Sequence, residues 1–319
     1  MLIAMCFILL FLHETNTVHH SKKVIISDKH SGNDSLKSKS VESFQQSLRN
    51  VDVFDNNPDL EANQNDINTN LYKHEAIAIT MELIEEYYGE KSVIRIYSLD
   101  ENDYKGILAL ITILDPKTIT IALAENQIYS NGETTREAAL RHNAILGINA
   151  GGFMSENGKI RPLGTTVLDG EPITLSPSTD LIFVGFDHNG NLIGERISST
   201  EKIQELNIIN GASFLPIILK DGTRQSIPSN WRNLKEPRTI IGNLENGDLV
   251  FMVIDGRKEG WSNGITLEEA QDKLLELNTL NAYNLDGGGS STFYFNGRVL
   301  NKPSLGYERK VVTNLLILP

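Results

Sequence analysis

A chain of 319 residues, 40% of them hydrophobic and 22% charged, has the apolar content of a soluble protein with a real core, and room for one large domain or two small ones. Its 41 acidic against 29 basic residues leave a net charge of -12, which argues against nucleic acid as the main partner, because Lys and Arg must displace the phosphate counterions; a few local donors still suffice for a small phosphorylated ligand. The single cysteine, Cys6, excludes an intrachain disulfide and a cysteine-based zinc site, so the core alone must hold the fold.

Residues 1–12 are almost wholly apolar, too short a run to span a bilayer and about the length of a signal-peptide core. No Lys or Arg precedes the run, and Met5 stands before Cys6 where a lipoprotein signal needs a small residue. The segment is expected to export the chain or tether it to a membrane, which puts the protein outside the cell membrane of a bacterium. Residues 13–72 are dominated by Ser, Asn, Asp, Lys and Gln without a sustained apolar period, and such a segment buries too little surface to offset its chain entropy. It is expected to be a disordered spacer, and the paired His19-His20 to be part of that tail. Residues 73–319 are expected to form a single catalytic domain.

Within that domain, Ile77, Met81, Ile84 and Tyr88 recur at helical spacing and predict a helix over Lys73 to Tyr88, stopped at Gly89. Short β-rich runs follow at Val93 to Tyr97, Ile107 to Leu114 and Thr118 to Ala124, the last two joined by a turn at Asp115-Pro116-Lys117. Thr135 to Asn143 reads as a short helix feeding an apolar strand, Ala144 to Ile148. Further on, Asp169-Gly170, Asn189-Gly190, Asp221-Gly222, Asn246-Gly247 and Asn296-Gly297 supply the positive φ angles that two-residue hairpin turns require. So many of them predict mostly antiparallel or mixed sheets and exclude a doubly wound parallel fold. Thr266 and Glu269 form a capping box ahead of Leu267, Ala270, Leu274 and Leu277 on one helical face, with Asn278 as terminator. The class is α+β, with a few helices packed on the sheets.

The strongest chemical feature is Asn284-Leu285-Asp286-Gly287-Gly288-Gly289-Ser290-Ser291-Thr292, between two apolar runs. Three glycines let a ligand approach the main chain, successive N–H groups can form an anion nest, and Ser290 and Ser291 add hydroxyl donors beside Asp286. No Lys follows the glycines, so this is not a P-loop, and Ser290 has neither a Gly-x-Ser-x-Gly elbow nor a clear His partner, so a serine hydrolase is not expected. A carboxylate-driven mechanism remains. In Asn149-Ala150-Gly151-Gly152-Phe153, a strand again runs into glycines; Asn149 is suited to orienting a sugar hydroxyl or a water, or the turn merely lets two sheets pack closely. Pro237-Arg238-Thr239 carries an Arg into a buried strand, which suits either bidentate phosphate recognition or a structural ion pair. Asp255-Gly256-Arg257 by itself is a turn, and Arg309 is a weaker candidate of the same kind. None of the seven histidines falls in a metal-ligand pattern. No metal or other cofactor is expected; a divalent cation at Asp286 is the alternative, since carboxylates and loop carbonyls suit Ca²⁺ or Mg²⁺.

Taken in order, Asn149 to Phe153, Pro237-Arg238-Thr239, Asp255-Gly256-Arg257, Gly264 to Ala270 and Asn284 to Ser291 resemble the phosphodiester glycosidase family from about Ser92 to Pro319. The resemblance implies cleavage of the bond between an anomeric sugar carbon and a phosphodiester oxygen. A phosphate is already a good leaving group, so holding its charge matters more than acid catalysis. Arg238, Thr239, Arg257, Arg309, Asn149, Gly151, Gly152 and the Gly287 to Ser291 amides and hydroxyls are the implied substrate and phosphate contacts. Asp286 is the implied carboxylate facing the sugar, as nucleophile, base or oxocarbenium stabiliser, and Asp255 the second carboxylate. The implied partner is an N-acetylglucosamine-1-phosphodiester or a cell-envelope phosphoglycan such as an exopolysaccharide. A non-catalytic phosphoglycan-binding protein is the alternative.

Overall fold

The structure, a computed structural model, describes residues 81–176 and 180–319, which belong to one unit, Ala62–Pro319. The leader at 1–12, the spacer at 13–72 and the start of the first expected helix lie outside the described residues. The rest is α+β, as the turn chemistry implies.

The principal sheet has eight strands, in the order Glu82–Tyr88, Ser92–Asp100, Lys105–Ile113, Leu249–Ile254, Arg238–Leu244, Thr279–Asn284, Ile217–Lys220 and Thr223–Arg224. Every strand pairing among the described residues is antiparallel, as in the central ladders. The Leu249–Ile254 strand is buried along its whole length because both faces of the sheet are covered. Leu249, Phe251 and Val253 pack with Ile107, Ala109 and Ile111 on one side, whereas Val250, Met252 and Ile254 join Leu267, Ala270 and Leu274 of the helix Leu267–Glu276 on the other. The first face meets two five-stranded sheets. Ile148, Phe293 and Leu315 come from a sheet containing Leu146–Asn149, Phe293–Phe295 and Thr313–Ile317, and Val184, Phe186 and Ala212 from one built around Ile182–Asp187 and Ile208–Phe214. The helix Thr135–Arg141 covers the far side of the former sheet through Ala138 and Ala139.

The five pairs Asp169-Gly170, Asn189-Gly190, Asp221-Gly222, Asn246-Gly247 and Asn296-Gly297 fall at hairpin turns between antiparallel neighbours. At Asp169-Gly170, Asp221-Gly222 and Asn296-Gly297 both residues have positive φ, the backbone that matches the twist of the strands they join. The capping box at Thr266 also forms: the Glu269 amide donates to Thr266 Oγ1 at 3.1 Å and the Thr266 amide to Glu269 Oε2 at 2.8 Å. Asn278 ends that helix with φ 56°. No helix among the described residues is long and apolar enough to cross a membrane.

One expected element is corrected. The end of the helix expected over Lys73 to Tyr88 is an edge strand, Glu82–Tyr88, paired with Ser92–Asp100 across a bulge between Leu83 and Glu85. The helical spacing of Ile84 and Tyr88 reflects no buried stripe, since both are exposed. Tyr87-Tyr88 suits a strand, and the Ser92–Asp100 strand offers a ladder that outweighs the local period.

Antiparallel pairing brings four chain segments to one end of the principal sheet. Ile254 lies opposite both Gly106 and Arg238, and Ile240 opposite Asn284. Lys105, Asp255, Arg238 and Asp286 therefore succeed one another along that end, and the segment from Asp286 to Thr292 crosses from the principal sheet to the neighbouring one.

Candidate active site

The glycine loop is held by its backbone rather than left flexible. The Leu285 amide donates to Thr239 O at 2.8 Å, the Asp286 amide to Ala150 O at 2.9 Å and the Gly288 amide to Pro237 O at 2.8 Å. Gly288 to Ser290 then make one 3-10 turn. Gly287 is required there, because a Cβ would lie 2.8 Å from Pro237 O; Gly288 has φ 61°, in the left-handed region.

Asn149 is the clamp of this loop. Its Nδ2 donates to Asp286 O at 2.5 Å, while its Oδ1 accepts from Thr239 Oγ1 at 2.8 Å and from the Thr292 amide at 3.1 Å. Asn149 and Thr239 are both fully buried. This turns their expected contact with substrate inward: with both ends of the amide engaged inside the protein, the buried Asn149 and Thr239 position the loop. Gly151 and Gly152 resolve toward close packing as well. A Cβ on Gly151 would meet Ala212 Cβ at 2.7 Å, and one on Gly152 the Phe214 ring at 2.9 Å. The expected nest is also smaller than the sequence suggests, because the amides of Gly288, Ser290 and Ser291 all donate to backbone carbonyls.

Asp286 is partly exposed, yet its Oδ2 is buried and meets no hydrogen-bond partner. Burial pushes its pKa up to about 6, while the Ser290 hydroxyl, the Arg309 charge and the Gly287 amide hold it down. Arg309 reaches Ser290 Oγ with Nη1 at 3.5 Å and rests 4.9 Å above the Phe153 ring. Arg257 approaches the loop from the other side, its Nη2 3.3 Å from the place a Gly288 Cβ would take, and its Nε pairs with Glu236 Oε2 at 2.5 Å. A partly exposed carboxylate with one oxygen short of a partner and the Arg309 charge beside it is suited to a donor hydroxyl and a neighbouring anion.

Two expected residues are displaced from this loop. Asp255 is buried and tied down: Oδ2 accepts from Trp261 Nε1 at 2.8 Å, and Oδ1 from the Lys302 amide at 2.9 Å and Asn301 Nδ2 at 3.1 Å. It ties three loops together, which is a structural role, and lies in the next cleft rather than at the glycine loop. Arg238 shares the face of Ile240, toward the helix, because side chains alternate along a strand. Its guanidinium donates to Leu234 O at 2.9 Å and Ile265 O at 3.3 Å and lies 5.5 Å from the Trp231 ring. Burial lowers its pKa to about 10. Arg238→Leu should therefore lower fold stability by about 2 kcal/mol, read as a shift of the denaturant midpoint, since two carbonyls lose their donor. A phosphate-binding arginine would leave that midpoint in place and raise KM instead.

Sequence reasoning missed Glu236, Phe153 and Leu305 as neighbours of the loop. Phe153 ends a motif already singled out. Leu305, whose side chain is 3.2 Å from a Cβ built on Gly289, had no local signal. Among the described residues, no group of three or more His, Cys, Asp or Glu side chains gathers to hold a metal ion.

Comparison with known proteins adds an independent line. A model of the phosphodiester glycosidase family matches residues 142–318, over half of the chain. The Bacillus subtilis prophage-derived uncharacterized protein YomE is 31% identical over 195 residues, covering 59% of this chain and 30% of that protein. Human N-acetylglucosamine-1-phosphodiester alpha-N-acetylglucosaminidase is 30% identical over 187 residues, covering 54% and 36%. The chain thus spans about a third of the length of these curated relatives. The catalytic domain of the zebrafish N-acetylglucosamine-1-phosphodiester alpha-N-acetylglucosaminidase, solved as auto-inhibited by its pro-peptide, superposes with a TM-score of 0.63 at 20% identity, over 75% of this chain and 87% of that one. A putative exported protein of Burkholderia pseudomallei gives 0.52 at 16% identity, over 68% and 74%. At such identities both superpositions speak to the fold alone.

Proposed function

The chain belongs to the phosphodiester glycosidase family, and from that membership we propose that it hydrolyses the bond between an anomeric sugar carbon and a phosphodiester oxygen. The observation that carries this reading is Asp286 Oδ2, a buried carboxylate oxygen without a protein partner beside Ser290 and Arg309. In the proposed reaction Arg309 and Arg257 hold the departing phosphate, and ionised Asp286 stabilises positive charge at the anomeric carbon or attacks it. Glu236, next to Arg257, takes the place of Asp255 as the second carboxylate. A phosphoglycan of the cell envelope, or an N-acetylglucosamine-1-phosphodiester, is the substrate class, and the apolar residues 1–12 are consistent with a protein acting outside the membrane.

The test is release of free sugar from an N-acetylglucosamine-1-phosphodiester by the full chain, with the anomer followed by NMR. Because the ionised form of Asp286 does the work, kcat/KM should fall about tenfold per pH unit below about pH 6 and level off above it. A profile that instead rises as pH falls would make Asp286 the general acid. The engagement of both Asp255 oxygens within the protein favours a second reading, a phosphoglycan-binding protein without turnover, which predicts affinity for the same compounds and no released sugar.

A further inference from the structure

Two to three strands along the same end of the principal sheet from Asp286 lies a cleft of about 200 Å³ that the proposed hydrolysis does not use. At about 4.8 Å per strand the separation is about 10 Å at the Asp255 strand and about 14 Å at the Lys105 strand. The Lys105 side is within reach of the next units of a chain bound at Asp286. The cleft is lined by Asp100, Lys105, Asp255, Trp261, Asn301 and Lys302, among others. At about 30 Å³ per water molecule it has room for roughly six waters, or for one small polar unit in their place.

Its chemistry is specific. The Trp261 ring is fixed by the bond from its Nε1 to Asp255 Oδ2, and two ammonium groups stand over it, Lys302 Nζ at 3.0 Å and Lys105 Nζ at 5.1 Å from the centroid. The carboxylates of the cleft are accounted for: Asp100 pairs with Lys105, and both oxygens of Asp255 accept bonds from within the protein. Lys302 has no carboxylate partner among the described residues. An ammonium group without a carboxylate partner, held over the indole, suits the anionic group of a sugar that carries negative charge. In a protein of net charge -12, one such local cation without a carboxylate partner gives an anionic group a place to settle. The cleft is also joined to the glycine loop, because Asn301 Nδ2 donates both to Asp255 Oδ1 and to Ser291 O, each at 3.1 Å.

We propose that the Trp261, Lys105 and Lys302 cleft is a second subsite, which holds an anionic sugar unit of a phosphoglycan chain while another unit lies at Asp286. The inference rests on the reading of the protein as a phosphoglycan hydrolase and deepens it, since it makes the substrate a polymer rather than a single diester. The test uses the full chain with two substrates, the methyl diester of N-acetylglucosamine-1-phosphate and a short defined oligomer of N-acetylglucosamine-1-phosphate. Lys302→Gln combined with Lys105→Gln changes surface residues and leaves the Trp261–Asp255 bond in place. The double variant should raise KM for the oligomer about tenfold and leave kcat and KM for the methyl diester unchanged. Equal effects on both substrates, or none on the oligomer, overturn the subsite. If the unaltered protein hydrolyses neither compound, the proposed function fails and the cleft is judged by binding alone. The indole N–H resonance of Trp261, one of two tryptophan signals, should then shift as oligomer is added and stop responding in the double variant. A Trp261 resonance that never moves, or moves equally in both proteins, overturns the proposal.

Discussion

Asp286→Asn should lower hydrolysis by at least about 10³-fold and, at pH 7, make the protein more stable. The first effect follows, under the proposed reaction, from removing the ionisable group assigned to the anomeric carbon while keeping its shape. The second follows from linkage. The Asp286 carboxyl has its pKa raised from 3.8 to about 6 in the fold, mainly by burial, so the folded state binds the proton more tightly than the unfolded chain does. Its contribution to stability is fully present below about pH 3.8 and is lost as pH rises through about 6. The difference corresponds to on the order of 3 kcal/mol at pH 7. Urea midpoints of the two proteins should thus separate at pH 7, with the Asp286→Asn variant the more stable, and converge near pH 3.5. Affinity for a phosphodiester should survive. A variant that hydrolyses at the normal rate removes Asp286 from the chemistry. One that neither hydrolyses nor binds, in a protein that is still folded, makes it part of the binding surface alone.

The second large effect is expected at a residue that positions the loop. Asn149→Ala removes the one side chain that joins Asp286 O, Thr239 Oγ1 and the Thr292 amide. Each buried group left without a partner costs about 1–3 kcal/mol, so the variant should lose about 3 kcal/mol or more, and thermal unfolding should fall by many degrees. In the fraction that stays folded the loop loses its anchor, and kcat should drop while the pH midpoint of the profile shifts with the changed burial of Asp286. A loss of kcat with an unmoved midpoint and an unmoved Tm would make Asn149 a direct contact of the substrate instead.

Much of the fold was legible because it is local. Asn-Gly and Asp-Gly adopt positive φ readily, so the five pairs between strand-like runs marked their hairpins, and the Thr266–Glu269 box started its helix by bonds that span three residues. The segment at Glu82–Tyr88 was not legible, because its apolar spacing fits a helix equally well and the short turn to its partner strand, Gly89 to Lys91, carries no Asn-Gly or Asp-Gly pair.

The same division runs through the site. The sequence by itself determined that a carboxylate sits in a glycine-rich crossover between two apolar strands, since no other residues permit that backbone, and the order of its motifs carried the family. Which of the polar residues reach that carboxylate was a tertiary decision. Alternation along the Arg238–Leu244 strand turned Arg238 toward the helix and Thr239 toward Asn149, and the loops around Trp261 and Asn301 closed over both oxygens of Asp255. Arg309 reaches the loop as the resemblance implied, whereas Leu305 and Glu236 come to it from segments whose local patterns carry no sign of it. A side chain's face and its partners depend on which strands end beside each other, and that is fixed only when the sheets pack.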